Sequence, residues 1–140
     1  MKKNRVLGML LFVVLISQTL QSGEFEKKGS IVYDKTTQLS WVSRPITKKM
    51  IWENAVKYCN NSELSLPTLS ELKSLVDYSK TNPAIRTALI KVQIDGWYWT
   101  SSVYRRKNKS NQAWVVNFGD GNGSWYSKTY KDYVLCVSRQ

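Results

Sequence analysis

The chain has 140 residues, with 21 Lys and Arg against 10 Asp and Glu, no histidine, and a formal charge of +11. This length suits one domain, and the lack of histidine excludes Ser–His–Asp and Cys–His nucleophilic systems and any histidine-based metal site. Its two cysteines, Cys59 and Cys136, do not form a CxxC pair, which excludes a thioredoxin-like redox motif.

Lys2, Lys3 and Arg5 precede an uninterrupted apolar run from Val6 to Ile16. That run is too short for a bilayer, which takes about 20 helical residues to cross. A basic start ahead of a short apolar core reads as a secretory signal peptide over residues 1–22, cleaved within the polar stretch Ser17 to Gly23. An uncleaved N-terminal anchor is the other reading. Residues 23–140 then form the mature domain, and loss of Lys2, Lys3 and Arg5 lowers its charge to +8. Such a chain is attracted to polyanions. Export turns the expected partner away from nucleic acid and toward acidic polysaccharide or an acidic protein, with no stable membrane insertion after cleavage. The bland alternative is that the charge only keeps the protein soluble. Export also makes Cys59 and Cys136 a disulfide pair. The bridge closes a loop of 77 residues, which in the chain-entropy account contributes about 4–5 kcal/mol.

Glu24 to Gly29 reads as a charged lead-in. Ile31 to Tyr33 reads as a short strand, Asp34 to Gln38 as a polar turn, and Leu39 to Val42 as a second strand. From about Lys49 to Asn60 the apolar residues Ile51, Ala55 and Cys59 recur every four positions, with Trp52 and Val56 beside them, so a helix is expected there with Thr47 as its cap. Thr68-Leu69-Ser70-Glu71 has capping-box spacing and starts a second helix with Leu69, Leu72, Leu75 and Val76 on its apolar face. Asn82-Pro83 ends that unit, and residues 84–90 read as a further helical turn or two. Strands are then expected over Trp97–Ser102, Ala113–Phe118, Trp125–Tyr130 and Tyr133–Ser138, with the glycine-rich run Gly119 to Gly123 as a turn. Helices in the first half and strands in the second imply an α+β fold with two helices on a mostly antiparallel sheet.

Several short motifs occur in a fixed order. Tyr33-Asp34-Lys35-Thr36-Thr37-Gln38-Leu39-Ser40-Trp41 resembles the opening D-x-x-T-G-L-x-W of the domain family found at the C-terminus of the Legionella collagen-like adhesin. Trp52-x-x-Ala55-x-x-Tyr58-Cys59, Leu66-Pro67-Thr68-Leu69-Ser70-Glu71-Leu72, Tyr98-Trp99-Thr100-Ser101-Ser102, Ala113-Trp114-Val115-Val116 and Cys136-Val137-x-Arg139 resemble its later motifs. The resemblance spans residues 31–139. It implies a C-type-lectin-like fold with the termini side by side and the first helix bridged to the last strand. It also implies a link to sulfated glycans and adhesion. The sequence departs from the pattern at Gln38, where a glycine is usual, at Leu64-Ser65 and at Leu135.

Calcium-dependent sugar-binding lectins of this fold use E-P-N or Q-P-D and W-N-D triplets, and none occurs here. Asp120-x-Asn122-x-Ser124 mimics the start of an EF-hand loop, but Trp125 and Lys131 stand where that loop needs glycine and glutamate. No metal or cofactor is therefore expected. Tyr104-Arg105-Arg106-Lys107-Asn108-Lys109 places four cations in five residues between two expected strands. Arginine forks match sulfate and carboxylate oxygens, and lysine adds point charge. Tyr104, Arg105, Arg106, Lys107, Lys109 and Trp125 are accordingly the candidate ligand-binding residues, against an ordinary solvated loop. Lys48, Lys49, Lys128 and Lys131 are candidates to extend the patch. Three functions remain open: a non-catalytic recognition domain for acidic glycans, a protein–protein module of a surface or secretion apparatus, and a glycan hydrolase using two of Glu53, Glu71, Asp77, Asp95, Asp120 and Asp132.

Overall fold

The computed structural model describes residues 23–106 and 110–140; the expected signal peptide lies outside the described residues, as do Lys107 and Lys109 of the basic loop. The elements in chain order are β1 (Phe25–Lys28), β2 (Ile31–Asp34), β3 (Leu39–Val42), α1 (Trp52–Asn60), α2 (Leu69–Lys73), β4 (Trp97–Tyr104), β5 (Gln112–Asn117), β6 (Gly123–Ser127) and β7 (Val137–Arg139). They make two antiparallel sheets, one of order β1-β2-β3-β7 and one of order β4-β5-β6. This is an α+β architecture with mostly antiparallel pairing, two helices and one disulfide, as the residue pattern implies.

β1 is a strand where the sequence reads as a charged lead-in. Only Phe25 packs on the core, while Glu26, Lys27 and Lys28 are exposed. An edge strand tolerates that composition, because charge on an open edge also discourages pairing with other chains. The signal for it was the Gly29-Ser30 pair, a two-residue hairpin turn with Gly29 at φ +60°. In the β2–β3 turn, Asp34 Oδ1 accepts from the amides of Thr36 at 2.9 Å and Thr37 at 3.4 Å, and the backbone of Gln38 takes φ +59°. This left-handed position is where the resembled motif carries glycine. Arg86 ties the hairpin to the middle of the chain. Its guanidinium pairs with buried Asp34 and with Glu24, donates to the Ser74 carbonyl at 2.7 Å, and covers the ring of Phe25.

α1 starts later than its periodicity suggests, and Thr47 does not cap it; Ile51 is the N-cap and no side chain serves there. The residues before it are extended because their backbone pairs elsewhere. Met50 exchanges both amide bonds with Asp132, and the amide of Trp52 donates to the Lys128 carbonyl. Ala55 and Cys59 form the buried face, as expected. α2 has its complete capping box: Thr68 Oγ1 accepts from the Glu71 amide at 3.2 Å and Glu71 Oε2 accepts from the Thr68 amide at 3.0 Å. The helix is only one turn and a half, so Leu75 and Val76 reach the core from the turn after it. Residues 84–90 are not helical. Their amides and carbonyls are used across the chain instead: Ala84 donates to the Phe118 carbonyl, Arg86 donates to the Leu75 carbonyl, and Ile85 bridges Val76.

The last segment joins the sheets. Tyr133 bridges Tyr98 of β4, and Val137 pairs with Trp41 of β3 on one side and bridges Ser65 on the other. Between them Val134, Leu135 and Cys136 are buried without a ladder partner, which shortens the expected strand Tyr133–Ser138 to β7. The expected strand Trp125–Tyr130 is likewise displaced to β6, because residues 128–130 turn back, with the Tyr130 amide on the Ser127 carbonyl. Cys59 on α1 and Cys136 beside β7 form the disulfide, with Cα atoms 5.5 Å apart. One core cluster gathers Trp41, Leu72, Leu75, Tyr98 and Phe118; a second gathers Cys59, Trp99, Val115 and Cys136. Alternation along β4 sends Tyr98 to the first and Trp97 and Trp99 to the second.

Candidate functional site

The free end of the three-stranded sheet is built by an irregularity in β4. Its register with β5 slips between Trp99 and Val103, so that Tyr104 stands opposite Gln112 rather than beyond the end of β5. The slipped residues are used. Thr100 Oγ1 donates to the Trp114 carbonyl at 2.8 Å, the Ser101 amide donates to the Pro67 carbonyl at 2.7 Å, and the Leu69 amide donates to Ser102 Oγ at 2.9 Å. The last two bonds dock the start of α2 on β4 and explain why the two motifs Leu66 to Leu72 and Tyr98 to Ser102 occur together.

Past the slip, three aromatic rings meet on one face. Tyr104 and Trp125 are stacked, with centroids 4.6 Å apart and planes 5° from parallel. Trp114, opposite Trp125 in the ladder, is edge-on to both, at 5.5 Å from Tyr104 and 5.3 Å from Trp125. Trp125 keeps 42% of its surface exposed. Arg105 and Arg106 follow Tyr104 directly, are exposed, and have no carboxylate partner among the described residues. Of the six candidate residues, the structure brings Tyr104 and Trp125 together, while Arg105 and Arg106 follow Tyr104 in the chain. Trp114 joins the two rings from β5, opposite Trp125. The available signal was parity, since Trp114 and Trp125 flank the glycine turn at positions that pair.

The opposite side of the hairpin carries a different arrangement. An open cleft of about 360 Å³ is lined by Ile51, Trp52, Glu53, Asn111, Lys128 and Thr129. Lys128 Nζ lies 4.2 Å from the centre of the Trp52 ring. Of the lysines expected to extend the basic loop, Lys128 is thus at its foot, where its amide donates to the Asn111 carbonyl at 2.9 Å. Lys49 is held elsewhere, 4.7 Å over the ring of Tyr133.

The acidic residues are engaged in the scaffold. Glu71 receives a two-pronged ion pair from Arg139, at 2.7 and 2.8 Å, and this guanidinium holds the Glu71 carboxyl below its ordinary range. Glu53 pairs with Lys57 at 2.9 Å, Asp77 takes the amide and hydroxyl of Ser79, and Asp95 accepts from the Tyr133 hydroxyl at 2.9 Å. Asp120 closes the glycine-rich turn by accepting from the Asn122 amide and side chain. Asp132 is buried, and burial pushes its carboxyl up to about 6. Among the described residues no group of three His, Cys, Asp or Glu side chains is placed to hold a metal ion, and no helix is long and apolar enough to cross a membrane.

Two antiparallel sheets, a disulfide that ties α1 to the segment before β7, and an aromatic and basic hairpin tip define a small stapled domain of the kind that folds in oxidising compartments. The chain belongs to the Lcl C-terminal domain family, whose pattern matches residues 30–138. No curated protein matches it.

Proposed function

We propose that the chain is an exported, non-catalytic recognition domain of C-type-lectin-like fold that binds acidic glycans, sulfated or carboxylated, in adhesion. Residues 1–22 act as its signal peptide, residues 23–140 form the domain, and it works in the periplasm or outside the cell. The observation that carries this reading is the Tyr104–Trp125 stack, with Trp125 exposed, followed directly in the chain by the exposed Arg105 and Arg106. Flat aromatic faces suit the apolar faces of sugar rings, and unpaired guanidinium groups suit sulfate and carboxylate oxygens. Lys107 and Lys109, on the same loop, add to the attraction over roughly one Debye length, about 8–10 Å at physiological salt. Membership of the family named for the C-terminal domain of Lcl supports an adhesion-related role.

The test is salt elution of the mature, oxidised domain from an immobilised sulfated glycan. A variant with Arg105, Arg106, Lys107 and Lys109 changed to Ser runs beside it. The wild type should need clearly more salt than a basic control protein of equal charge, and the variant should lose that margin. If wild type and variant both elute with the control, the charge is generic, and an acidic protein becomes the partner to seek.

A further inference from the structure

The geometry points to a second, separate subsite: the cleft between the start of α1 and the end of the β4–β5 loop takes a single anionic sugar ring through Lys128 and Trp52. The inference rests on the reading of the domain as an acidic-glycan binder and adds to it a site on the other side of the hairpin from the Tyr104–Trp125 stack.

The cleft is built rather than incidental. Lys128 stitches its two walls together with its own backbone: its amide donates to the Asn111 carbonyl at 2.9 Å and its carbonyl accepts from the Trp52 amide at 3.1 Å. The Trp52 ring is fixed at its other edge, where Nε1 donates to the Thr100 carbonyl at 2.8 Å. Thr129 is held by the Ser127 hydroxyl at 2.9 Å. The volume of about 360 Å³ exceeds one pyranose and falls well short of a chain of several.

The charges decide the class of ligand. The Lys128 ammonium rests on the Trp52 face at 4.2 Å, which positions it without neutralising it. Among the described residues it has no carboxylate partner. The carboxylate on the rim, Glu53, is paired with Lys57 at 2.9 Å, which offsets part of its repulsion of an incoming anion. What remains is one available cation, apolar surface from Ile51 and Trp52, and an amide and a hydroxyl from Asn111 and Thr129. A small ring with one anionic group, one apolar face and several hydroxyls matches that set. A bare anion would leave the apolar wall unused, and a neutral sugar would leave the ammonium unpaired.

The experiment is NMR titration of the 15N-labelled, oxidised mature domain with glucuronate, glucose 6-sulfate, glucose and acetate, following the six indole N–H signals and the backbone amides. One of the two anionic sugars should bind with a dissociation constant in the millimolar range and perturb Trp52 Nε1–H together with the amides of Asn111 and Lys128. Glucose and acetate should bind roughly tenfold more weakly, the loss set by one charge-assisted contact or by the apolar face. Lys128→Gln should bring the anionic sugar down to the level of glucose. The fourfold Ser variant of the basic loop separates the two readings: it should lose retention on sulfated glycan yet keep the cleft signals. Equal binding of acetate, equal binding of glucose, or perturbations centred on Trp125 in place of Trp52 would each overturn the subsite.

Discussion

Tyr104 on β4 and Trp125 on β6 stack across the strand that separates them, their rings 4.6 Å apart and 5° from parallel. Residues on the two outer strands meet in this way only because the register slip in β4 returns Tyr104 to the level of Gln112. Trp125 keeps 42% of its surface exposed, and an accessible ring is what a sugar-stacking surface requires. Trp125→Ala removes half of it without opening the core. Stability should fall by about 1 kcal/mol, the worth of an aromatic pair, while affinity for a sulfated oligosaccharide should fall roughly tenfold. Calorimetric titration at two ionic strengths checks this. The salt dependence should stay as in the wild type, because no charge has been removed. Unchanged affinity would take the stack out of the binding face.

Arg139 of β7 and Glu71 of α2 join the C-terminal strand to the capped helix through two short ion-paired hydrogen bonds. Glu71 also accepts from the Thr68 amide, so one carboxylate serves cap and bridge together. Arg139→Ala should cost about 1 kcal/mol at pH 7, and Glu71→Ala about 2 kcal/mol because the cap goes with it. The Glu71 carboxyl is held below its ordinary value of 4.5 in the folded state. Its contribution is therefore present above that value and is lost as pH falls through the lower folded one. Urea unfolding at pH 7 and at pH 3 should show the Arg139→Ala penalty shrinking at the acidic end.

The parts of the fold that were readable in the sequence are those with local chemistry. The Thr68-x-x-Glu71 box, the turn at Gly119 to Gly123 and the four-residue recurrence of Ile51, Ala55 and Cys59 each declare themselves within a few residues. What was not readable depends on distant partners. The backbone of Lys48 to Ile51 is extended because Met50 pairs with Asp132, and residues 84–90 stay out of a helix because their bonds go to Leu75 and Phe118. β1 escaped notice because an edge strand needs only one apolar residue, Phe25. At the candidate face, the basic run and Trp125 stood out in sequence, whereas the meeting of Trp114 with Trp125 follows from strand pairing, and that of Lys128 with Trp52 from a backbone bond between the start of α1 and the turn after β6.

Gln38 takes a left-handed backbone conformation, φ +59°, with an exposed side chain. A side chain there costs roughly 1–2 kcal/mol, part of which is recovered by the lower entropy of the non-glycine unfolded chain. Gln38→Gly should therefore raise stability by about 0.5–1 kcal/mol, seen as a rise in melting temperature of a few degrees. Gln38→Val should lower it, since a branched side chain fits that conformation less well still. A drop in stability for the glycine variant would mean that the Gln38 side chain contributes contacts that outweigh the backbone term.

Asp132 is the acid whose ionisation works against folding. Its side chain is buried and its Oδ2 atom has no hydrogen-bond partner. Burial raises its carboxyl from 3.8 to about 6, even though the Lys49 charge pulls in the other direction. The sign follows from which state holds the proton. Between about pH 4 and pH 6 the unfolded chain gives it up while the folded domain keeps it, so this group lowers stability as pH rises through that window, and the loss is constant above it. The full penalty is about 2–3 kcal/mol. Asp132→Asn keeps the shape and removes the charge, although its amide needs a partner that the carboxyl did not. The variant should match the wild type or fall slightly below it at pH 4, and exceed it by about 2 kcal/mol at pH 7. The quantity to follow is the difference between the two proteins in urea unfolding from pH 4 to pH 8, in which the opposing contribution of Glu71 cancels. A difference that stays flat across this range would mean that Asp132 ionises alike in the folded and unfolded chains.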